Sequence, residues 1–160
     1  MQALQQVDNA IWHVAHLFAD GQSDTAQDLY QDIIYELYRS FATFRRDSDF
    51  STWAYRVALN EGVRHLRRRL MAPPLVRLHA AHADCVGDDP YSSADPLVDR
   101  LYSLIARLGE ADRSLVALYL EGLSQRQMAD VLRISENAVK QRMKRIRQHL
   151  IQLNHEEEDL

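Results

Sequence analysis

The chain has 160 residues and a formal net charge of −4. Its length allows one or two small domains, and a hydrophobic content of 46% is enough for packed cores. No apolar run approaches the ~20 residues of a membrane-spanning helix, and no basic-then-apolar signal peptide opens the chain, so we expect a cytoplasmic protein. The single cysteine, Cys85, excludes an internal disulfide and a cysteine-based zinc site.

Two amphipathic helices are predicted in the N-terminal part of the chain. The first covers residues 3–19 and ends at the turn-forming residues 20–23. Its apolar stripe consists of Leu4, Val7, Ile11, Val14 and Phe18. The second begins at Asp24 or Thr25 and runs to about Phe41. Its apolar positions recur every four residues, at Leu29, Ile33, Leu37 and Phe41.

The second predicted helix also carries a polar face. Asp28, Gln31 and Asp32 share one side of it at i, i+3 and i+4, while Leu29 and Ile33 point inward. On its own, this arrangement fits either an ordinary solvated face or an acidic docking patch.

A third helix is predicted from Thr52 to about Leu70, with Ser51 as its N-cap and Pro73-Pro74 beyond its end. One stripe of this helix combines an aromatic ring, an amide and guanidinium groups, at Trp53, Arg56, Asn60, Arg64 and Arg67. Such a stripe suits single-stranded DNA, because rings stack on bases and cations follow phosphates. Trp53 fits a core position equally well.

Residues 71–95 are predicted to form a flexible acidic linker, because they contain turn-forming Pro, Gly, Ser and Asp residues and little periodicity. Asp95 then caps a fourth helix with Pro96 at its first position, a favoured site for proline. Gly109 ends this helix, and a fifth is predicted at about 111–121.

The stretch from Gly122 to Leu150 has the pattern of a helix-turn-helix. Ser124 is expected to cap a short helix, Ile134 and Ser135 to form the turn, and Ser135 to cap the second helix. The apolar face of the second helix consists of Val139, Met143, Ile146 and Leu150. Its opposite face carries Asn137, Lys140, Gln141, Lys144 and Gln148, with Arg145 beside them. A helix of this kind packs on a partner helix and enters a DNA groove.

These elements predict an all-α fold with two small helical domains, at 1–70 and 96–154, joined by the linker 71–95 and followed by an acidic tail at 155–160. The negative net charge does not oppose DNA binding, because local charge sets the field that a phosphate feels within a Debye length of ~8–10 Å. Basic residues concentrate in 56–69 and 126–147, both on predicted amphipathic helices. Basic runs are commonly solvated faces, but this placement favours a binding role.

Three segments, taken together and in this order, resemble the extracytoplasmic function (ECF) group of bacterial RNA polymerase sigma factors. The segments are DLYQD at 28–32, FRRDSDFSTWAYRVALNEGVRHLRRR at 44–69 and LSQRQMADVLRISENAVKQRMKRIRQHL at 123–150. The resemblance covers about 24–70 and 97–150. The last segment alone is typical of many regulators, whereas the combination is specific.

The resemblance implies roles for the N-terminal residues. Asp28, Gln31 and Asp32 match the motif that docks on the clamp helices of the largest polymerase subunit. The loop 44–52 and the helix that follows match the segments that recognise and melt the minus-ten promoter element. Residues expected at the rim of a pocket for an extruded base are Phe44, Arg45, Asp49 and Trp53. Residues expected to meet the strand or the upstream duplex are Arg56, Asn60, Arg64 and Arg67.

The resemblance also implies that the second helix of the helix-turn-helix reads the minus thirty-five element. The residues expected at this DNA are Ser135, Asn137, Lys140, Gln141, Lys144 and Arg145. Expected partners are core polymerase, through its clamp helices and flap, promoter DNA and an anti-sigma factor. No cofactor and no catalysis by this chain are expected. The segment ahead of Asp28 is shorter than is usual in the family, so a shortened or missing additional helix is expected there.

Two other function classes remain open. The chain could be an autonomous helix-turn-helix regulator whose N-terminal domain senses a signal or dimerises, or a helical adaptor whose basic helices bind a protein. A regulator that binds only duplex DNA has no use for a melting surface, which favours the sigma-factor interpretation.

Two smaller features lead to expectations of their own. Arg133 stands where many helix-turn-helices have glycine, which predicts a positive φ at a cost of about 1 kcal/mol. His13, His16 and Asp20 have metal-ligand spacing on a helix, but no fourth ligand is evident, so no metal site is predicted.

Overall fold

A computed structural model describes residues 2–73 and 95–158. Over these ranges the chain forms seven α-helices, one short 3-10 turn and no strand, which confirms the all-α prediction. The helices are α1 (Gln2–Phe18), α2 (Ser23–Ser40), α3 (Phe50–Met71), α4 (Pro96–Ala106), α5 (Glu110–Leu120), α6 (Gln125–Leu132) and α7 (Glu136–Glu158), and the 3-10 turn covers Phe41–Thr43. Of the predicted linker 71–95, residues 74–94 lie outside the described residues, and Cys85 is among them.

The first three helices pack together because each buries a regular apolar stripe. Ile11, Val14 and Phe18 of α1 are at most 1% exposed, and the stripe of α2 is buried from Leu29 to Leu37. The buried face of α3 contains small residues at four-residue spacing, Ala54, Ala58 and Gly62, followed by Leu66. Small side chains allow α1 to approach α3 closely. A Cβ atom placed on Gly62 would lie 2.7 Å from the Phe18 ring.

Three of the last four helices, α4, α6 and α7, have the start signals that the sequence predicted. The Asp95 carboxylate accepts a hydrogen bond from the Leu97 amide at 2.9 Å, with Pro96 at the first helical position. Ser124 forms a reciprocal capping box with Gln127 at the start of α6. The Ser135 hydroxyl accepts from the Ala138 amide at 3.1 Å at the start of α7. These caps confirm the predicted helix-turn-helix.

Two local predictions were wrong. Ser51 does not cap α3, because the helix begins at Phe50 and has Asp49 at its N-cap without a side-chain cap. Phe41 is 58% exposed rather than in the core, because α2 ends at Ser40 and the 3-10 turn redirects the side chain. The last helix continues to Glu158, into the acidic stretch 155–160.

The helices α1–α3 and α4–α7 also pack against each other, through both α1 and α3. Besides Val7, Ile11, Val14 and Phe18 of its predicted stripe, α1 buries Ala10, Ala15, His16 and Leu17. One buried hydrophobic cluster therefore runs through both helix groups. Across the residues that the structure describes, no helix is both long and apolar enough to span a membrane.

We expect Gly62→Ala to lower the free energy of unfolding by about 1–3 kcal/mol, because the added methyl overlaps the Phe18 ring in a packed core. Alanine would stabilise an exposed helix position by about 1 kcal/mol, so the sign separates the two effects. Urea unfolding of the full chain measures the change. The double variant with Phe18→Leu should recover part of the loss, and a Gly62→Ala chain as stable as the parent would refute the close α1–α3 contact.

Candidate interfaces for nucleic acid and for protein partners

The polar face of α2 is open to solvent. Asp28, Gln31 and Asp32 are all exposed, while Leu29 and Ile33 behind them are fully buried. Tyr35 and Tyr38 follow on the same helix and are 67% and 84% exposed. The sequence analysis did not single out these tyrosines, although Tyr35 continues the i, i+3, i+7 spacing that starts at Asp28. The α2 face is thus an acidic patch with large aromatic side chains beside it, and aromatic side chains are enriched in protein interfaces.

Four aromatic rings gather where α2 ends and α3 begins, and we call Phe41, Phe44, Phe50 and Trp53 the aromatic cluster. The centroids of Phe44 and Trp53 are 5.0 Å apart, and those of Phe50 and Trp53 are 5.6 Å apart. Phe41 lies 6.3 Å from Trp53 and is mostly exposed, so the cluster reaches the surface. Sequence reasoning found Phe44 and Trp53 but missed the other two rings.

The loop that leads from the 3-10 turn into α3 holds the predicted rim residues. Arg45 and Asp49 are exposed, and Phe44 is partly buried against the other rings. Arg46 has φ 58°, a left-handed conformation that a residue other than glycine seldom adopts. This turn carries the chain from Phe44 back to Phe50, whose ring lies 6.0 Å from that of Phe44.

Three of the predicted DNA residues on α3 are exposed, namely Asn60, Arg64 and Arg67, and the first two face solvent without a partner on another helix. Asn60 and Arg64 are exposed on the outer side of the helix. The Arg64 guanidinium donates to the Glu61 carboxylate at 2.6 Å, and Glu61 itself is only 4% exposed. Glu61 therefore restricts the direction in which Arg64 points.

Arg56 and Arg67, the other two arginines of the α3 stripe, form hydrogen bonds with the C-terminal helices. Arg56 donates to the backbone carbonyl of Val131 at 3.1 Å and to that of Asp130 at 2.5 Å. Arg67 donates to both carboxylate oxygens of Glu110, at 2.8 and 2.5 Å. The hydrogen bond from Arg67 lowers the pKa of the Glu110 carboxyl below its ordinary value. The stripe predicted from the sequence is thus divided between two environments.

The second helix of the helix-turn-helix, α7, presents its polar face to solvent. The predicted base-reading residues Asn137, Lys140, Gln141 and Lys144 are all exposed. Val139, Met143 and Ile146 on the other face are at most 7% exposed. Ser135 is exposed and caps the helix, and Arg145 is exposed at the edge of the polar face.

An open groove lies beside this polar face and was not foreseen from the sequence. Its volume is about 630 Å³. Apolar side chains line one part of it, at Tyr119, Leu123, Met128, Met143 and Ile151. Lys140, Lys144 and Arg147 line the other part, and Arg147 lies over the Tyr119 ring at 5.5 Å. A groove of this kind can accept an apolar segment that carries acidic residues.

The residues with metal-ligand spacing on α1 have separate partners. The His13 ring hydrogen-bonds the Glu121 carboxylate at 2.7 Å. His16 is buried with its ring edge-on to Tyr102, and Asp20 binds Arg113 and Arg69. Within residues 2–73 and 95–158, no group of three or more His, Cys, Asp or Glu side chains could hold a metal ion.

Comparison with known proteins matches both parts of the chain. Residues 4–70 match the family described as Sigma-70 region 2, and residues 99–150 match Sigma-70, region 4. The RNA polymerase sigma-H factor of Pseudomonas aeruginosa is 31% identical over 134 residues, which cover 77% of this chain and 69% of that protein. The ECF RNA polymerase sigma factor SigM of Mycobacterium tuberculosis is 28% identical over 137 residues, which cover 82% of this chain and 65% of that protein.

Two solved structures share the fold. One is CnrH in complex with the cytosolic domain of CnrY, with a TM-score of 0.67 and 23% identity, covering 96% of this chain and 86% of that one. The other is the sigma factor RpoE of Bartonella quintana in complex with the anti-sigma factor NepR, with a TM-score of 0.71 and 22% identity, covering 96% of this chain and 95% of that one.

Arg133 adopts φ 54° at the end of α6, which confirms the positive φ expected there. Arg133→Gly should therefore raise the free energy of unfolding by about 0.5–1 kcal/mol, because glycine adopts this conformation without a steric penalty. Thermal unfolding of the full chain measures the change. Arg133→Ala is the matched control, since it removes the guanidinium but keeps the strained backbone. If alanine stabilises as much as glycine, charge rather than conformation is the cause.

Proposed function

The chain belongs to the sigma-70 family of RNA polymerase sigma factors, and from that membership we propose that it directs bacterial core polymerase to specific promoters and assists DNA opening at initiation. The observation that carries the proposal is that one chain holds both matched regions, each with an exposed polar surface where the family motif falls. In this proposal the polymerase performs the chemistry, and this chain contributes promoter choice.

The proposed contact with the core enzyme is the α2 face. Asp28, Gln31 and Asp32 match the family motif for the clamp helices, and their exposure leaves them free to meet a basic helical surface. Tyr35 and Tyr38 extend the contact, because large aromatic side chains contribute strongly when an interface excludes water from them. The apolar part of the groove beside α7, at Tyr119, Leu123 and Ile151, is the proposed contact for an apolar segment of the polymerase flap.

The proposed site for the minus-ten element is the aromatic cluster with the loop before α3. Taking a base out of the stack costs a few kcal/mol, and a surface that binds the extruded base offsets that cost. The rings of Phe44 and Trp53 offer stacking surface, with Arg45 and Asp49 at the rim. Asn60 and Arg64 would contact the strand next to that base, with Arg56 and Arg67 joining them where they are accessible.

The proposed site for the minus thirty-five element is the polar face of α7. Asn137 and Gln141 can each form two hydrogen bonds with adenine, and Lys140 and Lys144 can reach guanine or phosphate. Arg145, at the edge of this face, is assigned to a phosphate, which fixes register rather than sequence. Ser135, at the start of the helix, would lie close to the backbone of the same groove.

The domain boundaries and the regulatory partner complete the proposal. Residues 1–70 and 96–154 would act on the two promoter elements, with 71–95 as the tether between them and 155–160 at the end of the last helix. An anti-sigma protein is the proposed regulator, since CnrH and RpoE, which share the fold, were solved with CnrY and with the anti-sigma factor NepR. An autonomous regulator is the weaker alternative, because a protein that binds only duplex DNA does not need a partly exposed aromatic cluster to hold an extruded base.

The double variant Asp28→Ala and Gln31→Ala should weaken binding to core polymerase by roughly tenfold or more, which corresponds to about 1.4 kcal/mol. Both side chains are exposed, so the fold should be retained. Fluorescence anisotropy of the labelled chain titrated with core enzyme gives the affinity. Asp99→Ala removes an exposed acid on α4 and should leave the affinity unchanged. Equal affinities for the double variant and the parent would remove the α2 face from the proposed interface.

Gln141→Ala and Arg145→Ala should affect promoter binding in different ways. Loss of the Gln141 amide should change base preference at one position by about 1–3 kcal/mol of discrimination. Loss of the Arg145 charge should weaken binding to all sequences and reduce the salt slope by about one unit. Titrations of the holoenzyme with promoter variants at several salt concentrations distinguish these results. An unchanged salt slope for Arg145→Ala would show that Arg145 does not contact phosphate.

A further inference from the structure

Phe41 is the most exposed ring of the aromatic cluster. It is 58% exposed, whereas Phe44, Phe50 and Trp53 are all partly buried. A single exposed phenylalanine needs no explanation by itself, because apolar atoms form much of every protein surface. Phe41 is different, because it continues an aromatic surface on which only Phe44 and Trp53 have a stacking role in the proposed minus-ten site.

The distances between the rings show which side of Phe41 is open. Its centroid lies 6.4 Å from that of Phe44, 6.4 Å from that of Phe50 and 6.3 Å from that of Trp53. Those three centroids are only 5.0, 5.6 and 6.0 Å from one another. Because its three neighbours are grouped this closely, they all lie on one side of Phe41. The opposite side of the phenyl ring therefore accounts for its exposure.

Local hydrogen bonds fix the turn that carries Phe41. The Phe44 amide donates to the Phe41 carbonyl at 3.1 Å, which closes the 3-10 turn. The Thr43 hydroxyl donates to the Ser40 carbonyl at 2.7 Å, and the Ser40 hydroxyl donates to the Glu36 carbonyl at 2.6 Å. The position of the Phe41 ring thus depends on this turn rather than on burial of the ring. A surface that is already ordered loses less entropy when it binds a ligand.

The polar residues next to the cluster fit a nucleotide better than an apolar protein segment. Arg45 and Arg46 are exposed in the loop that follows Phe44, and their guanidinium groups can follow phosphates. Asp47 and Asp49 are exposed in the same loop, and a carboxylate can accept a hydrogen bond from the amino group of cytosine. An apolar protein segment would use the ring alone, whereas a strand of DNA would use the ring, the cations and the acceptors together.

We propose that Phe41 stacks on a second base of the separated strand, next to the base held by Phe44 and Trp53. This inference rests on the proposed function, since it adds a base to the proposed minus-ten site. The 6.4 Å between the Phe41 and Phe44 rings exceeds the ~3.4 Å step between stacked bases. Adjacent bases can therefore occupy both rings only when they are unstacked from each other. Phe41 thus favours the opened strand over the duplex.

Phe41→Leu is the decisive variant, because leucine keeps an apolar side chain but has no aromatic face. The full chain is assembled with core polymerase and titrated against a labelled single strand, the non-template strand of a promoter at which this holoenzyme starts transcription. Fluorescence anisotropy gives the affinity, which Phe41→Leu should lower roughly tenfold. Phe41→Trp keeps an aromatic face and should bind at least as tightly as the parent. Leu97→Ala removes a 73% exposed apolar side chain on α4 and should change nothing.

Strands with one abasic position each identify the base that contacts Phe41. At that position, removal of the base should weaken binding of the parent by about the same factor as Phe41→Leu. The two changes together should then weaken binding no more than either one alone, because both remove the same contact. At every other position the two effects should multiply. Phe44→Leu should be coupled in the same way to the adjacent base. Circular dichroism verifies that each variant is folded.

The possible failures of this test separate the inference from the proposed function. If Phe44→Leu is coupled to a base and Phe41→Leu to none, the second base site is refuted and the proposed function stands. If neither ring is coupled to any base, or the holoenzyme starts transcription at no promoter, both are refuted. If Phe41→Leu weakens assembly with core polymerase and leaves the affinity for the strand unchanged, Phe41 belongs to the polymerase interface and the inference is again overturned.

Discussion

The C-terminal end of α1 is the point on which the rest of this structure depends. The Phe18 ring is fully buried against Gly62 of α3, and the guanidinium of Arg113 lies 5.8 Å above the same ring. Two residues further on, the Asp20 carboxylate pairs with Arg113 and Arg69. Over residues 18–20, the end of α1 thus packs against α3 and forms an ion pair with Arg113 of α5. Burial lowers the pKa of Arg113, and the Asp20 carboxylate opposes that effect.

Arginine is suited to the two roles that this arrangement gives it. Its planar fork of donors matches carbonyl and carboxylate oxygens as well as phosphate. The same side chain can therefore bind a helix end in one state of the protein and nucleic acid in another. Arg56 and Arg67 are engaged within the chain, while Asn60, Arg64 and the polar face of α7 remain exposed. The surfaces proposed to meet the polymerase and the minus thirty-five element are accessible without rearrangement, whereas the α3 stripe is only partly so.

Local features of the fold could be predicted from the sequence, and features that need distant partners could not. Ser124, Ser135 and Asp95 act within a few residues of themselves, so their capping roles follow from local spacing. The positive φ of Arg133 follows from its place in a known turn. Arg113, by contrast, stands in a helix as one charged residue among several, and only the packing of α1 on α5 shows that it is buried. Two of the four rings in the aromatic cluster were predicted from the sequence. Phe41 was not, because its spacing fits the apolar stripe of α2 and only the 3-10 turn places its ring near Trp53.

The most direct test of a sigma-factor role is to map where transcription starts. Purified core polymerase, with and without this chain, would transcribe fragmented bacterial genomic DNA, and the 5′ ends of the RNA would be sequenced. With the chain present, initiation should concentrate at a limited set of positions that share two upstream sequence elements at a fixed separation. If the start positions with the chain are the same as those of the core enzyme alone, the chain does not select promoters and the account is contradicted.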